Sequence, residues 1–229
     1  MKTHIKRMAV PKTWPIERKK LTFVTRPFPT ISSDIGLPIG YVFRDLLKVA
    51  SNMKEVKTIL NNNYIFINGV HVKKIKHVLG FMDVLTIKDT NEHYRLLFNK
   101  MGKLHLQRIE ENESKLRPNR IIKKTLLPKG KLQLNFMNGY NIIVDRKDLK
   151  VGDVLLLEMP SKKINEVLRL EKNSPVFLFA GNHIGKVGSV VDFDTKEVVV
   201  KVGKDQIRTK RAYAFVIGKD KPLIKIDVE

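Results

Sequence analysis

The sequence predicts an α+β protein of several modules, and three observations carry this prediction. The first thirty residues are basic and contain four prolines, which favours an extended arm over a long helix. Residues 39–72 have the apolar spacing of two short helices followed by a hairpin. Beyond residue 131, short apolar strands alternate with turn residues, a pattern typical of small β-barrels. We therefore expect a basic arm, a helix–helix–hairpin module and a β-barrel region.

The predicted arm carries eight Lys and Arg residues and one acid, Glu17. Its aromatic residues are Trp14, Phe23 and Phe28, and disordered tails are usually poor in such residues. These rings could stack on nucleic-acid bases. The interpretation we favour is that they pin the arm to its own domain.

The helix–helix–hairpin module is predicted from apolar periodicity and turn residues. One helical face runs through residues 39–49, and Ser51 is the expected N-cap of a second helix from Met53. The pair Asn68-Gly69 lies between β-prone runs, which is a strong hairpin signal. A further strand is expected at residues 83–87, after Gly80 as a turn residue.

Residues 115–131 contain seven Lys and Arg and no acid, so we expect an irregular basic connector there. The following segment predicts two β units that meet near residues 171–175.

The charge of the chain points to a polyanionic partner. The 229 residues include 44 Lys and Arg against 23 Asp and Glu, a net charge of +21. Such an excess repels itself in a free compact protein, whereas binding to nucleic acid releases counterions. A membrane is disfavoured because no segment reaches the roughly 18 apolar residues of a spanning helix.

Several kinds of chemistry are disfavoured by the residue content. The chain has no cysteine, and its six histidines show no zinc-finger or zincin spacing. The segment around Gly185-Lys186 fails as a phosphate-binding loop, because Ala180 and Val187 replace the required Gly and hydroxyl residue. No hydrolase motif is found. We expect no catalysis, metal, cofactor or small-molecule substrate.

The basic residues of the helix–helix–hairpin module are spaced to form one cationic surface for an RNA backbone. The alternative is a set of ordinary solvated charges, and the net charge of the whole chain favours the RNA-binding interpretation. The expected contact residues are Arg44, Lys48, Lys54, Lys57, Lys73 and Lys74.

Five stretches stand out in order along the chain: His4–Trp14, Gly80–Ile87, Tyr94–Leu97, Gly181–Gly188 and Phe215–Gly218. Together they resemble the S-four-e family of archaeal and eukaryotic small-subunit ribosomal proteins. The likeness extends over essentially the whole sequence. The chain ends soon after Lys219–Pro222, without the C-terminal extension of eukaryotic members, which favours an archaeal source.

This resemblance implies four modules: an N-terminal arm (1–37), an S-four-type RNA-binding module (38–104), a central β domain (105–172) and a KOW barrel with a C-terminal strand (173–229). It also implies a cytoplasmic ribosomal protein, present in one copy per ribosome, that binds small-subunit ribosomal RNA and neighbouring ribosomal proteins. On that hypothesis the arm and the KOW turn add further contacts. These are Lys6, Arg7, Lys12 and Lys20, then Asn182, His183 and Lys186, with Arg208, Lys210 and Arg211 extending the surface.

Two other functions are compatible with an S-four module or a KOW barrel. A pseudouridine synthase would need a catalytic aspartate in an Arg-Leu-Asp setting, and the nearest likeness, Asp145–Asp148, lacks it. A transcription or translation factor could use the barrel to bind proteins. Such a factor should wash off ribosomal subunits at high salt.

Overall fold

A computed structural model describes residues 4–19, 21–62, 65–145, 148–219 and 221–226. Over these residues the chain is mostly β, with nineteen strands in antiparallel sheets and three short α-helices. It forms two compact units. Unit 1 consists of Met1–Phe98 and Lys103–Lys115, and unit 2 of Asn99–Gly102 and Leu116–Glu229. The finer division at residues 37, 104 and 172 remains a prediction.

The described residues of unit 1 form nine strands and three α-helices. The strands are β1 (His4–Lys6), β2 (Phe23–Thr25), β3 (Gly36–Pro38), β4 (Ile65–Ile67), β5 (Val70–His71), β6 (Val78–Gly80), β7 (Val84–Ile87), β8 (Glu92–Phe98) and β9 (Leu104–Ile109). The helices are α1 (Ile39–Tyr41), α2 (Met53–Asn62) and α3 (Glu111–Ser114). The largest sheet has the order β5-β4-β7-β8-β9, while β1 pairs with β2 and β3 with β6.

The N-terminal segment is folded within unit 1. The Trp14 side chain is 1 % exposed, and its Nε1 donates a hydrogen bond to the carbonyl oxygen of Ser33 at 2.7 Å. Its ring lies 5.6 Å from that of Tyr41, whose hydroxyl donates to the Pro15 carbonyl at 2.6 Å. Burial, with a smaller effect from Asp45, raises the pKa of Tyr41. Trp14 therefore anchors this segment, as the interpretation of the aromatic residues predicts for this ring, whereas Phe23 is exposed.

The first helix is shorter than its apolar spacing predicts. After α1 the chain makes a π-helical turn, Val42–Leu46, and the amide of Leu47 donates to the Val42 carbonyl at 2.9 Å. Lys48 then adopts φ 55°, a left-handed conformation that interrupts helical propagation. The predicted face at 39–49 therefore ends about one turn early.

The second helix forms as expected, but its N-cap is Asn52 and not Ser51. The Oδ1 atom of Asn52 accepts hydrogen bonds from the amides of Lys54 at 2.9 Å and Glu55 at 3.0 Å. The Glu55 carboxylate in turn accepts from the Ser51 amide at 2.7 Å. This reciprocal arrangement resembles a capping box and satisfies amides that the first helical turn leaves unpaired.

The predicted hairpin and strand are confirmed, and one predicted turn residue is wrong. Asn68 and Gly69 have φ of 50° and 75° between β4 and β5, as a type I′ turn requires. Gly80, however, lies in β6 and pairs with Gly36. The left-handed residue of the following turn is Met82, with φ 64°.

Unit 2 contains two five-stranded antiparallel sheets, with the orders β12-β11-β10-β13-β14 and β18-β17-β16-β15-β19. The chain passes from the first sheet to the second between Leu168 and Pro175. The strands are β10 (Leu116–Leu126), β11 (Leu132–Phe136), β12 (Asn141–Val144), β13 (Val154–Glu158), β14 (Lys163–Leu168), β15 (Pro175–Leu178), β16 (Val187–Phe193), β17 (Glu197–Val202), β18 (Asp205–Lys210) and β19 (Ala214–Val216).

The predicted basic connector is wrong, because eleven of its residues form β10. This strand pairs with β11 along one edge and with β13 along the other. Ile121 enters an apolar core with Leu134 and Phe136, while Arg117 is 1 % exposed with its guanidinium carbon 4.5 Å from the Tyr140 ring centre. Strand pairing on both edges therefore organises a stretch whose charge suggested a connector.

Candidate nucleic-acid interface

The basic residues expected to bind RNA in unit 1 are mostly exposed. Lys54 and Lys57 lie one turn apart on α2, whose opposite face buries Val56 and Leu60. Amphipathicity therefore directs these lysines to solvent. The other exposed members of the expected set are Lys48, Lys73 and Lys74. The Lys74 ammonium lies 6.0 Å from the Phe28 ring centre.

Two expected contact residues have internal partners. Arg7 is 2 % exposed, and its Nη1 donates to the Glu17 carbonyl at 3.0 Å while Nη2 lies 3.3 Å from Asp45 Oδ1. Arg44 Nε donates to the other oxygen of Asp45 at 2.7 Å. Asp45 thus holds both guanidinium groups within unit 1. Both arginines therefore serve contacts within unit 1.

The expected set contains three other N-terminal residues, and the structure describes two of them. Lys6 and Lys12 are exposed. Lys20 lies outside the described residues. Arg18, which was not in the set, donates to the carbonyls of Met8, Val10 and Pro11 at 3.0–3.2 Å. It therefore organises the segment that presents Lys6 and Lys12.

The Gly-rich turn of unit 2 presents Asn182 to solvent and half-buries His183 and Lys186. The ammonium of Lys186 lies 3.4 Å from Nδ1 of His183. Gly185 has φ 83°, and a Cβ atom there would clash with the Asn99 carbonyl group. The glycine therefore serves a close approach between two backbone segments of the protein.

The last expected group lies at the end of β18. Arg208 pairs with Glu197 at 2.7 Å, and both side chains are exposed. The Lys210 ammonium lies 5.9 Å from the Tyr213 ring centre, and the Arg211 guanidinium carbon lies 5.6 Å from that of Phe193. These aromatic rings hold the cations by weak attraction.

The structure thus divides the expected residues between the two units. The expected set did not include Arg120 and Lys196, which lie close to Arg211 in unit 2. The signal for Arg120 was hidden in the run of charges taken for a connector. The signal for Lys196 was its place in the turn between β16 and β17.

Within the described part of the chain, no helix is both long enough and apolar enough to cross a bilayer. The same residues include no cluster of three or more His, Asp or Glu side chains that could hold a metal ion.

The chain matches two protein-family models, curated protein sequences and a solved structure. Residues 1–29 match the RS4NT (NUC023) domain, and residues 90–164 match the ribosomal family S4e. The small ribosomal subunit protein eS4 of Methanosphaera stadtmanae is 35 % identical over 230 residues, covering 97 % of this chain and 95 % of that protein. The eS4 protein of Methanocella arvoryzae is 35 % identical over 229 residues, covering 97 % of each.

A crystal structure supports the same likeness. The 30S ribosomal protein S4e of Thermoplasma acidophilum matches with a TM-score of 0.70 and 28 % sequence identity. The match covers 80 % of this chain and 95 % of that one.

The mostly β fold, the net charge of +21 and these relatives define a structural ribosomal protein and not an enzyme. The chain belongs to the ribosomal S4e family. The resemblance found in the sequence motifs is therefore confirmed, and so is the prediction that the protein is not catalytic.

Proposed function

We propose that the chain binds small-subunit ribosomal RNA and braces its folded form beside neighbouring ribosomal proteins, in one copy per particle in the cytoplasm. The observation that carries this proposal is the exposed set of lysines on unit 1. Lys54 and Lys57 project from α2, and Lys73 and Lys74 lie exposed in the segment that follows the β4–β5 hairpin. Contacts from such groups go mainly to phosphate and ribose, so recognition is of folded RNA shape.

The two units have separate parts in this proposal. Unit 1 contains the S-four-type module, with Lys6 and Lys12 adding charge from the N-terminal segment. The second five-stranded sheet of unit 2 acts as the KOW barrel, with Asn182, His183 and Lys186 at its Gly-rich turn. Lys210 and Arg211 extend that contact surface.

A salt titration of binding to small-subunit ribosomal RNA tests the proposal. If about eight phosphates are contacted, the plot of log affinity against log salt has a slope of roughly −6 to −7. A slope shallower than about −2 contradicts the mechanism.

The double variant K54Q/K57Q tests the surface itself. We expect its slope to be shallower by about 1.8, because two phosphate contacts are lost. Lys163→Gln is the control, since it removes an exposed charge from the edge strand β14 that the proposal does not use. If the variants on α2 and β14 change the salt slope equally for each charge removed, the idea of a defined RNA-binding surface is contradicted.

Association with the particle gives a second test. The chain should stay with small subunits through high-salt washes at one copy per particle. Release in the wash favours a dissociable factor instead.

A further inference from the structure

A cleft of about 570 Å³ lies within unit 2, beside the turn before β13 and the end of β18. Its charged lining consists of four cations and one carboxylate, Glu197. The carboxylate of Glu197 already pairs with Nε of Arg208 at 2.7 Å. The cations of the cleft are Arg120, Lys196, Lys210 and Arg211. The cleft therefore carries a local excess of positive charge.

Arg120 and Arg211 place like charges close together. Nη1 of Arg120 donates to the Ala212 carbonyl, and Nη2 donates to the Arg211 carbonyl at 3.3 Å. The pKa of Arg120 is lowered, first by burial and then by the charge of Arg211. Among the residues that the structure describes, neither arginine forms an ion pair with a carboxylate. An anion in the cleft would relieve this repulsion.

Contacts within the protein restrain two of these cations, Arg120 and Arg211, before any ligand binds. Arg120 is held by its two carbonyl acceptors, and Arg211 lies over the ring of Phe193 at 5.6 Å. The Arg211 amide donates to the Lys196 carbonyl at 2.9 Å, which joins two of the chain segments that line the cleft. Such preorganisation lowers the entropy that binding must overcome.

One wall of the cleft is apolar. Val151 is 52 % exposed there, and Gly152 and Ala212 add backbone and methyl surface. A site for a free inorganic anion needs no such wall. The sugar of a nucleic-acid backbone, by contrast, presents carbon atoms beside its phosphate.

We propose that this cleft binds one phosphodiester of an RNA backbone, with the phosphate near Arg211, Lys196 and Lys210 and the adjoining ribose against Val151. This inference rests on the proposed RNA binding and assigns a site for it in unit 2. Arg120 is a positioning residue, because it holds the carbonyls of Arg211 and Ala212 and adds charge without reaching the ligand.

Substitutions at Val151 test the cleft without disturbing the core, since this side chain is already largely in solvent. Val151→Glu places a carboxylate beside the bound phosphate, and Val151→Gln is its neutral match in size. We expect V151E to weaken binding to small-subunit ribosomal RNA about tenfold, since like charges are brought together. V151Q should stay within about twofold of the unchanged protein, as exposed substitutions usually do.

Arg211→Gln gives a second measurement, the salt dependence. Its slope should be shallower by about 0.9, which corresponds to one lost phosphate contact. If V151E and R211Q bind like the unchanged protein while K54Q/K57Q is weakened, the cleft proposal is overturned and RNA binding through unit 1 stands.

A titration with inorganic phosphate tests whether the cleft binds a phosphate group at all, independently of RNA. In amide NMR spectra of the full chain, phosphate should shift the signals of Lys196, Arg211 and Ala212, and V151E but not V151Q should suppress those shifts. Absence of shifts overturns the proposal. Shifts without any binding of ribosomal RNA by the unchanged protein overturn the RNA assignment and, separately, the proposed function.

Discussion

Lys6 and Arg7 are adjacent cations whose side chains have opposite environments. Lys6 is exposed, whereas the Arg7 guanidinium is enclosed by the Glu17 carbonyl and the Asp45 carboxylate. The sequence shows that both residues are basic and predicts the same role for both. It could not separate them, because the partners of Arg7 lie 10 and 38 residues away.

Alanine substitution should separate the two residues. Arg7→Ala removes a buried group with several acceptors, and we expect the free energy of unfolding to fall by about 2–3 kcal/mol. Lys6→Ala should change it by less than about 0.5 kcal/mol. Lys6→Ala should instead make the RNA salt slope shallower by about 0.9. Urea unfolding and RNA titration measure these effects, and a stable R7A variant with a reduced slope contradicts the assignment.

His77 should make the stability of the protein depend on pH. Burial lowers its pKa from the ordinary value of 6.5, although Asp83 acts in the opposite direction. Below about pH 6.5 the unfolded chain therefore takes up a proton that the folded chain resists, so stability falls as pH falls. This contribution is absent at higher pH, where His77 is neutral in both states.

The test of this prediction is the variant His77→Gln, studied by urea unfolding between about pH 8 and pH 5. The variant and the unchanged protein should differ in unfolding free energy by a constant amount in the upper part of this pH range. As the pH falls through 6.5, that difference should shift in favour of the variant. A difference that stays constant across the whole range contradicts the prediction.

At the scale of elements, structure set by nearby residues was predictable and structure set by distant pairing was not. The Asn68-Gly69 hairpin and α2 follow from local conformational preference and apolar spacing. By contrast, β10 is held by β11 and β13 on its two edges, which its own charges do not reveal. The strand β18 lacks such a local signal, because Ile207 is its one apolar residue.

The cap of α2 is an element whose contribution is measurable. Asn52→Ala removes the acceptor of two amides, and we expect about 1 kcal/mol of lost unfolding free energy. Ser51→Ala is the control because Ser51 contributes its backbone amide, which alanine retains. A loss for S51A equal to that for N52A would assign the cap to Ser51 after all.

At the scale of the whole molecule, composition predicts the kind of partner, but it does not predict which residues contact that partner. A net charge of +21 indicates a polyanion wherever the charges lie. Which cations are free depends on folding, because Arg7, Arg44 and Arg208 pair with carboxylates while Lys54 and Lys57 remain exposed. The cleft around Arg211 was not predictable, since it combines residues from β10, the β16–β17 turn and β18.

The same net charge predicts opposite salt effects on folding and on binding. In the free protein, self-repulsion among the excess cations destabilises the compact state, so raising NaCl from about 50 to about 300 mM should raise Tm through screening. Over that range, affinity for ribosomal RNA should fall by about 10⁴ or more if eight phosphates are contacted. Calorimetry of the free chain and RNA titration in the same buffers measure both quantities. An unchanged or lower Tm would show that the cations are already balanced within the fold, and the inference from charge to a polyanionic partner would lose its basis.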